Sequence, residues 1–274
     1  MSTASSAPPG VPLGRVSEPQ TAADGLTYLL FLPPKWTAAP KSNPVMLFLH
    51  GIGGINNAKG CNNPGLTTQF PLNDPEYAAR LEHIVLVPVA AQRDWRNHHD
   101  ALLSLVDMAV RDLGADPSRV TLAGQGMGGQ GVWQLAAMAP KRFCALVACC
   151  GWVDERNGDA LPAALVEAGK SIPVWAFHSL EDDVVPDPLR KEVRLRLRPF
   201  LPTRLHLTRL TIWRSDRVSP PQLGKTVEDT EAVVRALQAA GNLNVKLTKY
   251  PAGQRPPNYI PGHAGAFEGL EAVG

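Results

Sequence analysis

A chain of 274 residues, 44% of them hydrophobic, can bury the core of one large domain. A net charge of +2 is too small to argue for nucleic acid or an anionic membrane surface, and no apolar run reaches the roughly 18 residues of a membrane-crossing helix. The four cysteines, Cys61, Cys144, Cys149 and Cys150, have neither metal-site spacing nor the pattern of a disulfide framework, so reduced thiols, a cytoplasmic setting and no metal or cofactor are expected.

Residues 1–14 are rich in Ser, Ala, Pro and Gly and contain no basic residue, so they read as a flexible tail and not as a signal peptide. Residues 15–274 read as one domain. Residues 26–32 form an apolar strand ended by Pro33-Pro34, and 45–49 form a second that closes in His50-Gly51-Ile52-Gly53-Gly54. A helix-like stretch at 75–81 precedes a third strand at 83–89. Over 101–113, Leu102, Leu103, Val106, Met108, Ala109 and Leu113 supply the apolar face of a helix. His98 and His99 read as its exposed polar entry. Trp95 and Trp152 follow strand ends, where they either wall a ligand pocket or pack at the core or rim. Strands at 120–123, 143–149, 173–177 and 245–250 follow, with helical patterns over 132–139 and 226–240, the latter stopped by Gly241-Asn242. Short apolar strands alternating with helices predict the α/β class, with a mainly parallel sheet covered on both faces.

Residues 187–225 break that rhythm. They hold ten Lys and Arg against three acids, a net charge of +7, and five prolines. The segment reads as an insertion, a small cap or a mobile loop, that is either solvated with no partner or the seat of an acidic partner or anionic ligand.

The turn Gly124-Gln125-Gly126-Met127-Gly128-Gly129 stands between a predicted strand and a predicted helix. That is the setting of the nucleophile elbow, G-x-S-x-G, but the nucleophile position is Gly126, which carries no attacking atom. Three further elements follow the same logic. The glycine turn at residues 51–54 can bring backbone N–H groups close to a developing oxyanion. Asp182, in His178-Ser179-Leu180-Glu181-Asp182-Asp183-Val184-Val185-Pro186, lies just beyond a strand, where a carboxylate can orient an imidazole. His263 follows the last strand, in Pro261-Gly262-His263-Ala264.

Together with Asp116-Pro117-Ser118-Arg119-Val120 before the elbow and Pro140-Lys141-Arg142-Phe143 after its helix, these motifs resemble the α/β-hydrolase superfamily. The similarity is to its esterase and predicted-peptidase branch, which includes feruloyl-esterase-like and polyester-depolymerase-like enzymes. It runs from about residue 25 to 186 and resumes at 226. The resemblance implies an α/β-hydrolase fold and a carboxylic-ester hydrolase. It assigns Asp182 as the triad acid, His263 as the base, Met127 N–H as one oxyanion donor, and Gly51, Ile52 and Gly53 as the loop supplying the other. Gly126 takes the nucleophile position without a side chain. Two departures stand beside it: Ser179 occupies a position usually held by glycine, and Gln254-Arg255-Pro256-Pro257 lengthens the loop before His263.

The resulting expectation is a catalytically impaired relative that keeps a pocket for a small acyl or ester-like ligand. Alternatives stay open. His263 could activate a water at the space left by Gly126, or Cys61, Cys149 or Cys150 could replace the nucleophile. His178 is the second candidate for the base. Gly124-x-Gly126-x-x-Gly129 also satisfies the dinucleotide fingerprint G-x-G-x-x-G.

Overall fold

The computed structural model describes residues 7–58, 72, 74–153, 163–179 and 227–250. Its strands form one eight-stranded sheet in the order β1-β2-β4-β3-β5-β6-β7-β8. They are β1 Gln20–Thr21, β2 Thr27–Phe31, β3 Asn43–Leu49, β4 Ile84–Pro88, β5 Ala115–Gln125, β6 Ala145–Cys149, β7 Val174–Ser179 and β8 Val245–Tyr250. From β4 to β8 every neighbouring pair is parallel, while β1 and β2 run antiparallel at one edge. The parallel strands therefore deliver their following loops to one edge of the sheet.

The helices are α1 Pro75–Arg80, α2 His99–Asp112, α3 Met127–Met138, α4 Ala163–Gly169 and α5 Val227–Ala239. The strands alternate faces with period two, which sorts the core into two layers. On one face Leu47, Leu49, Leu86, Leu122, Leu146 and Ala176 pack with Leu102 and Leu105 of α2, Val132 and Leu135 of α3, Leu165 of α4 and Val233 and Leu237 of α5. On the other, Phe48, Val85, Val87, Ala123, Val147, Cys149 and Phe177 pack with Leu72 and with Ala78 of α1.

Local chemistry accounts for several boundaries. Asp74 caps α1 by accepting the N–H groups of Glu76 and Tyr77, each at 2.9 Å, and Pro75 sits at the first helical position. Asn242 closes the chain after α5: its amide donates to the carbonyls of Gly169 and Ile172, and its Oδ1 accepts Asn244 N–H at 2.8 Å. Helix α3 is buried nearly all round, as a helix under the C-terminal edge of a sheet must be.

Some boundaries differ from the sequence expectation. The chain engages the sheet before Gly14: Val11 is buried, Leu13 bridges Leu32, and Gly14 N–H donates to Leu32 carbonyl at 2.8 Å. Isolated bridges leave no periodic signal to read. Helix α3 starts at Met127, not near 132, because glycines that lower helix propensity are here required by packing. Strand β1 and helix α4, of two and seven residues, are too short to show a period. The basic segment 187–225 lies outside the described residues.

Candidate active site

Strand β5 ends at Gln125, α3 begins at Met127, and Gly126 makes the whole turn between them with φ 56° and ψ −115°. This left-handed region is one that an L side chain enters only with strain and glycine enters freely. The turn is fixed from both sides. Gly126 N–H donates to Cys149 carbonyl at 2.8 Å, and Gln130 N–H donates back to Gly126 carbonyl at 2.9 Å.

The neighbouring glycines are there for close approach. A Cβ on Gly124 would overlap the carbonyl of Gly128, and one on Gly128 would overlap the carbonyl of Leu49 at the end of β3. A Cβ on Gly129 would stand 2.7 Å from Gly151 Cα. The first turn of α3 is thus wedged between the ends of β3 and β6, with no room for side chains.

The loop after β3 emerges beside this turn, since Leu49 and Gly124 are register partners. A Cβ on Gly51 would sit 3.3 Å from Gln125 carbonyl. Residues Ile52–Gly54 form one 3₁₀ turn, closed by Gly54 N–H to Gly51 carbonyl at 3.1 Å. Ile52 is 51% exposed on it. Helix starts leave their first N–H groups without intrahelical acceptors, and the N–H groups of Met127, Ile52 and Gly53 are of this kind.

His50 anchors the loop. It is buried, its Nδ1–H donates to Gly51 carbonyl at 2.6 Å, and its Nε2 accepts Ala90 N–H at 3.0 Å. Both ring nitrogens are satisfied only in the neutral tautomer. Burial pushes its pKa down to about 4, against the raising effect of the Gly51 hydrogen bond. Trp95, fully in the core, packs edge-on against this ring and donates from Nε1 to His50 carbonyl at 3.2 Å. No sequence signal announced that role, because the partners are set by the sheet order.

His178, near the end of β7, is wholly buried. Its Nδ1 lies 2.8 Å from Thr230 Oγ1, whose hydroxyl donates to Gly151 carbonyl at 2.9 Å. Thr230 must then accept from the imidazole, so His178 is tied to a structural hydroxyl 52 residues away. Cys149 is buried, and burial raises its thiol well above the ordinary range, which leaves it without thiolate character. Cys150 is also buried, with φ 47° and its N–H donating to Phe177 carbonyl at 2.8 Å.

Asp182, His263 and Cys61 lie outside the described residues. Strand β7 ends at Ser179 and β8 at Tyr250, on the same sheet edge as the Gly126 turn. His98 and His99 differ from expectation. They are half-buried and not exposed, and burial lowers the pKa of each.

No protein-family model matches the chain, and no curated protein matches its sequence. Its backbone is similar to solved structures. A thermostable esterase superposes with a TM-score of 0.64 at 19% identity, covering 93% of this chain. The chain spans 59% of that esterase's length. Est1E from Butyrivibrio proteoclasticus superposes with a TM-score of 0.53 at 16% identity, over 93% of this chain and 94% of Est1E. The butyrate-bound esterase 2 of Thermogutta terrifontis gives 0.50 at 16% identity, over 89% and 84%. With the eight-stranded, mainly parallel sheet, these matches establish the α/β-hydrolase fold.

Proposed function

We propose that this chain is a carboxylic-ester hydrolase relative that keeps an acyl or ester-like ligand pocket and lacks the nucleophile needed to form an acyl-enzyme. The observation that carries this reading is the backbone of Gly126: a sharp strand-to-helix turn at positive φ, as in a nucleophile elbow, with no hydroxyl on it. In a working site the hydroxyl oxygen attacks the ester carbonyl, its proton passes to the imidazole, and the oxyanion forms against backbone N–H groups. Here the donors at Met127 and at Ile52 and Gly53 fit the last part, Asp182 and His263 are assigned to the second, and the first has no atom to perform it. Removing the serine of a complete triad costs about a millionfold in turnover, leaving roughly 10³–10⁴-fold over water from oxyanion stabilisation and binding.

The sheet order supports this reading over the dinucleotide one. The glycine turn follows the fifth strand in an order of 1-2-4-3-5-6-7-8, whereas the dinucleotide fingerprint follows the first strand of a 3-2-1-4-5-6 sheet. Charge alone adds an acidic partner for residues 187–225 to the proposal. No helix among the described residues is long and apolar enough to cross a membrane.

Gly126→Ser tests the reading. The variant should hydrolyse a short activated ester and gain covalent labelling by a fluorophosphonate, and adding His263→Ala should remove both gains. A folded Gly126→Ser protein with neither activity nor labelling would overturn the assignment. A gain indifferent to His263→Ala would move the base elsewhere.

A further inference from the structure

Four buried polar atoms without a hydrogen-bond partner fall along one seam, away from Gly126. They are Nε2 of His98, Nε2 of His99, Nε1 of Trp133 and Oε1 of Gln134. The seam lies where the Arg96–His98 turn and the start of α2 meet the outer face of α3, and His99 Nδ1 to Met138 Sδ, at 3.2 Å, spans it. Buried polar atoms in a native protein are nearly always paired, so a run of orphans calls for a partner that is not protein.

Beside the seam is a cavity of about 150 Å³ lined by Trp133, Gln134, Ala137, Trp152 and Val153, together with Arg96. An apolar cavity of about this size holds one benzene-sized ring. Two indoles and aliphatic side chains suit such a ring, which stacks or meets edge-on with either indole. Two of the four orphans belong to cavity-lining residues, and they are complementary. The indole N–H of Trp133 can only donate, and the amide oxygen of Gln134 can only accept. A hydroxyl carries both functions that these atoms lack, an acceptor for the indole N–H and a donor for the amide oxygen. Charge decides between a neutral and an anionic ligand: Arg96 is already paired with Asp94, through Nη2 at 2.5 Å and Nε at 2.7 Å, so its charge is compensated.

We propose that this cavity binds a neutral single-ring phenol, its hydroxyl accepting from Trp133 Nε1 and donating to Gln134 Oε1. Trp133 stands seven residues beyond Gly126, about 10 Å along the axis of α3, so the cavity lies apart from the Gly126 turn.

The test uses the full chain with phenol, toluene and benzoate as probes, followed by calorimetry and tryptophan fluorescence. Phenol should bind saturably at one site, toluene about tenfold more weakly for want of the hydroxyl, and benzoate no better than toluene. Trp133→Phe and Gln134→Leu should each bring phenol down to the level of toluene and leave toluene unchanged. Ala137→Leu, which fills the cavity without touching either polar atom, should abolish binding of both while the thermal transition is kept. Absence of saturable phenol binding would mean that water alone serves the orphan atoms and would overturn the proposal. Equal affinity for phenol and toluene, or binding that survives Ala137→Leu, would overturn it as well.

Discussion

Gly128→Ala offers a quantitative test of how the turn between β5 and α3 is held. A Cβ there would overlap Leu49 carbonyl, lie 2.5 Å from Leu49 carbonyl carbon and 2.9 Å from His50 oxygen. All three are backbone atoms of one strand end, so no rotamer change relieves them. Helix α3 must lift away from β3, which loosens Leu135 and Val132 in the core beneath. Overpacking of this kind typically costs 1–3 kcal/mol, and more where the neighbours are backbone. Alanine recovers about 1 kcal/mol of helix propensity at the same position. With the cost at the upper end of that range, the net expectation is a loss of about 2 kcal/mol, a sizeable part of the roughly 5–15 kcal/mol of a typical domain. Gly53→Ala is the matched control: its Cβ meets nothing within 4 Å, and it should change stability by less than about 0.5 kcal/mol. Urea unfolding followed by far-UV circular dichroism gives both numbers. If Gly128→Ala is as stable as the parent, α3 does not approach β3 as described and the close-packing account of these glycines fails.

Two further outcomes follow from the buried histidines. His50 is held neutral with its pKa near 4, below its unfolded value of about 6.5, so its contribution is complete above pH 6.5 and is lost as pH falls towards 4, because only the unfolded chain takes up the proton. That contribution is of order 3 kcal/mol, and His50→Gln should flatten the pH dependence of the urea midpoint across that window; an unchanged slope would refute it. Thr230→Val keeps the shape but removes the hydroxyl between His178 Nδ1 and Gly151 carbonyl, and should lower stability by about 2 kcal/mol in the same assay, whereas a neutral result would mean that His178 is not anchored there.

The sequence alone determined the fold class and the place of the glycine turn between β5 and α3. Strands such as Val45 to Leu49 are fully apolar, and that pattern arises when both faces of a parallel sheet are covered. A glycine run between strand and helix marks a turn because only glycine tolerates both the positive φ at residue 126 and the backbone contacts at 124 and 128. The tertiary structure decided what those residues touch. His50 and His178 look alike in the sequence, each at the end of a strand. One is neutral because Ala90, 40 residues on, fills its second nitrogen, and the other is tied to Thr230, 52 residues on. His98 and His99 read as solvated because they open an amphipathic helix, but the turn at Arg96–His98 presses them against α3. Trp95 and Trp152 were equivalent by position; sheet order put the first in the core and the second on the cavity wall. Periodicity reports the burial of an element and the chemistry of its turns. Pairings between residues distant in the chain depend on strand order and register, which no local pattern encodes.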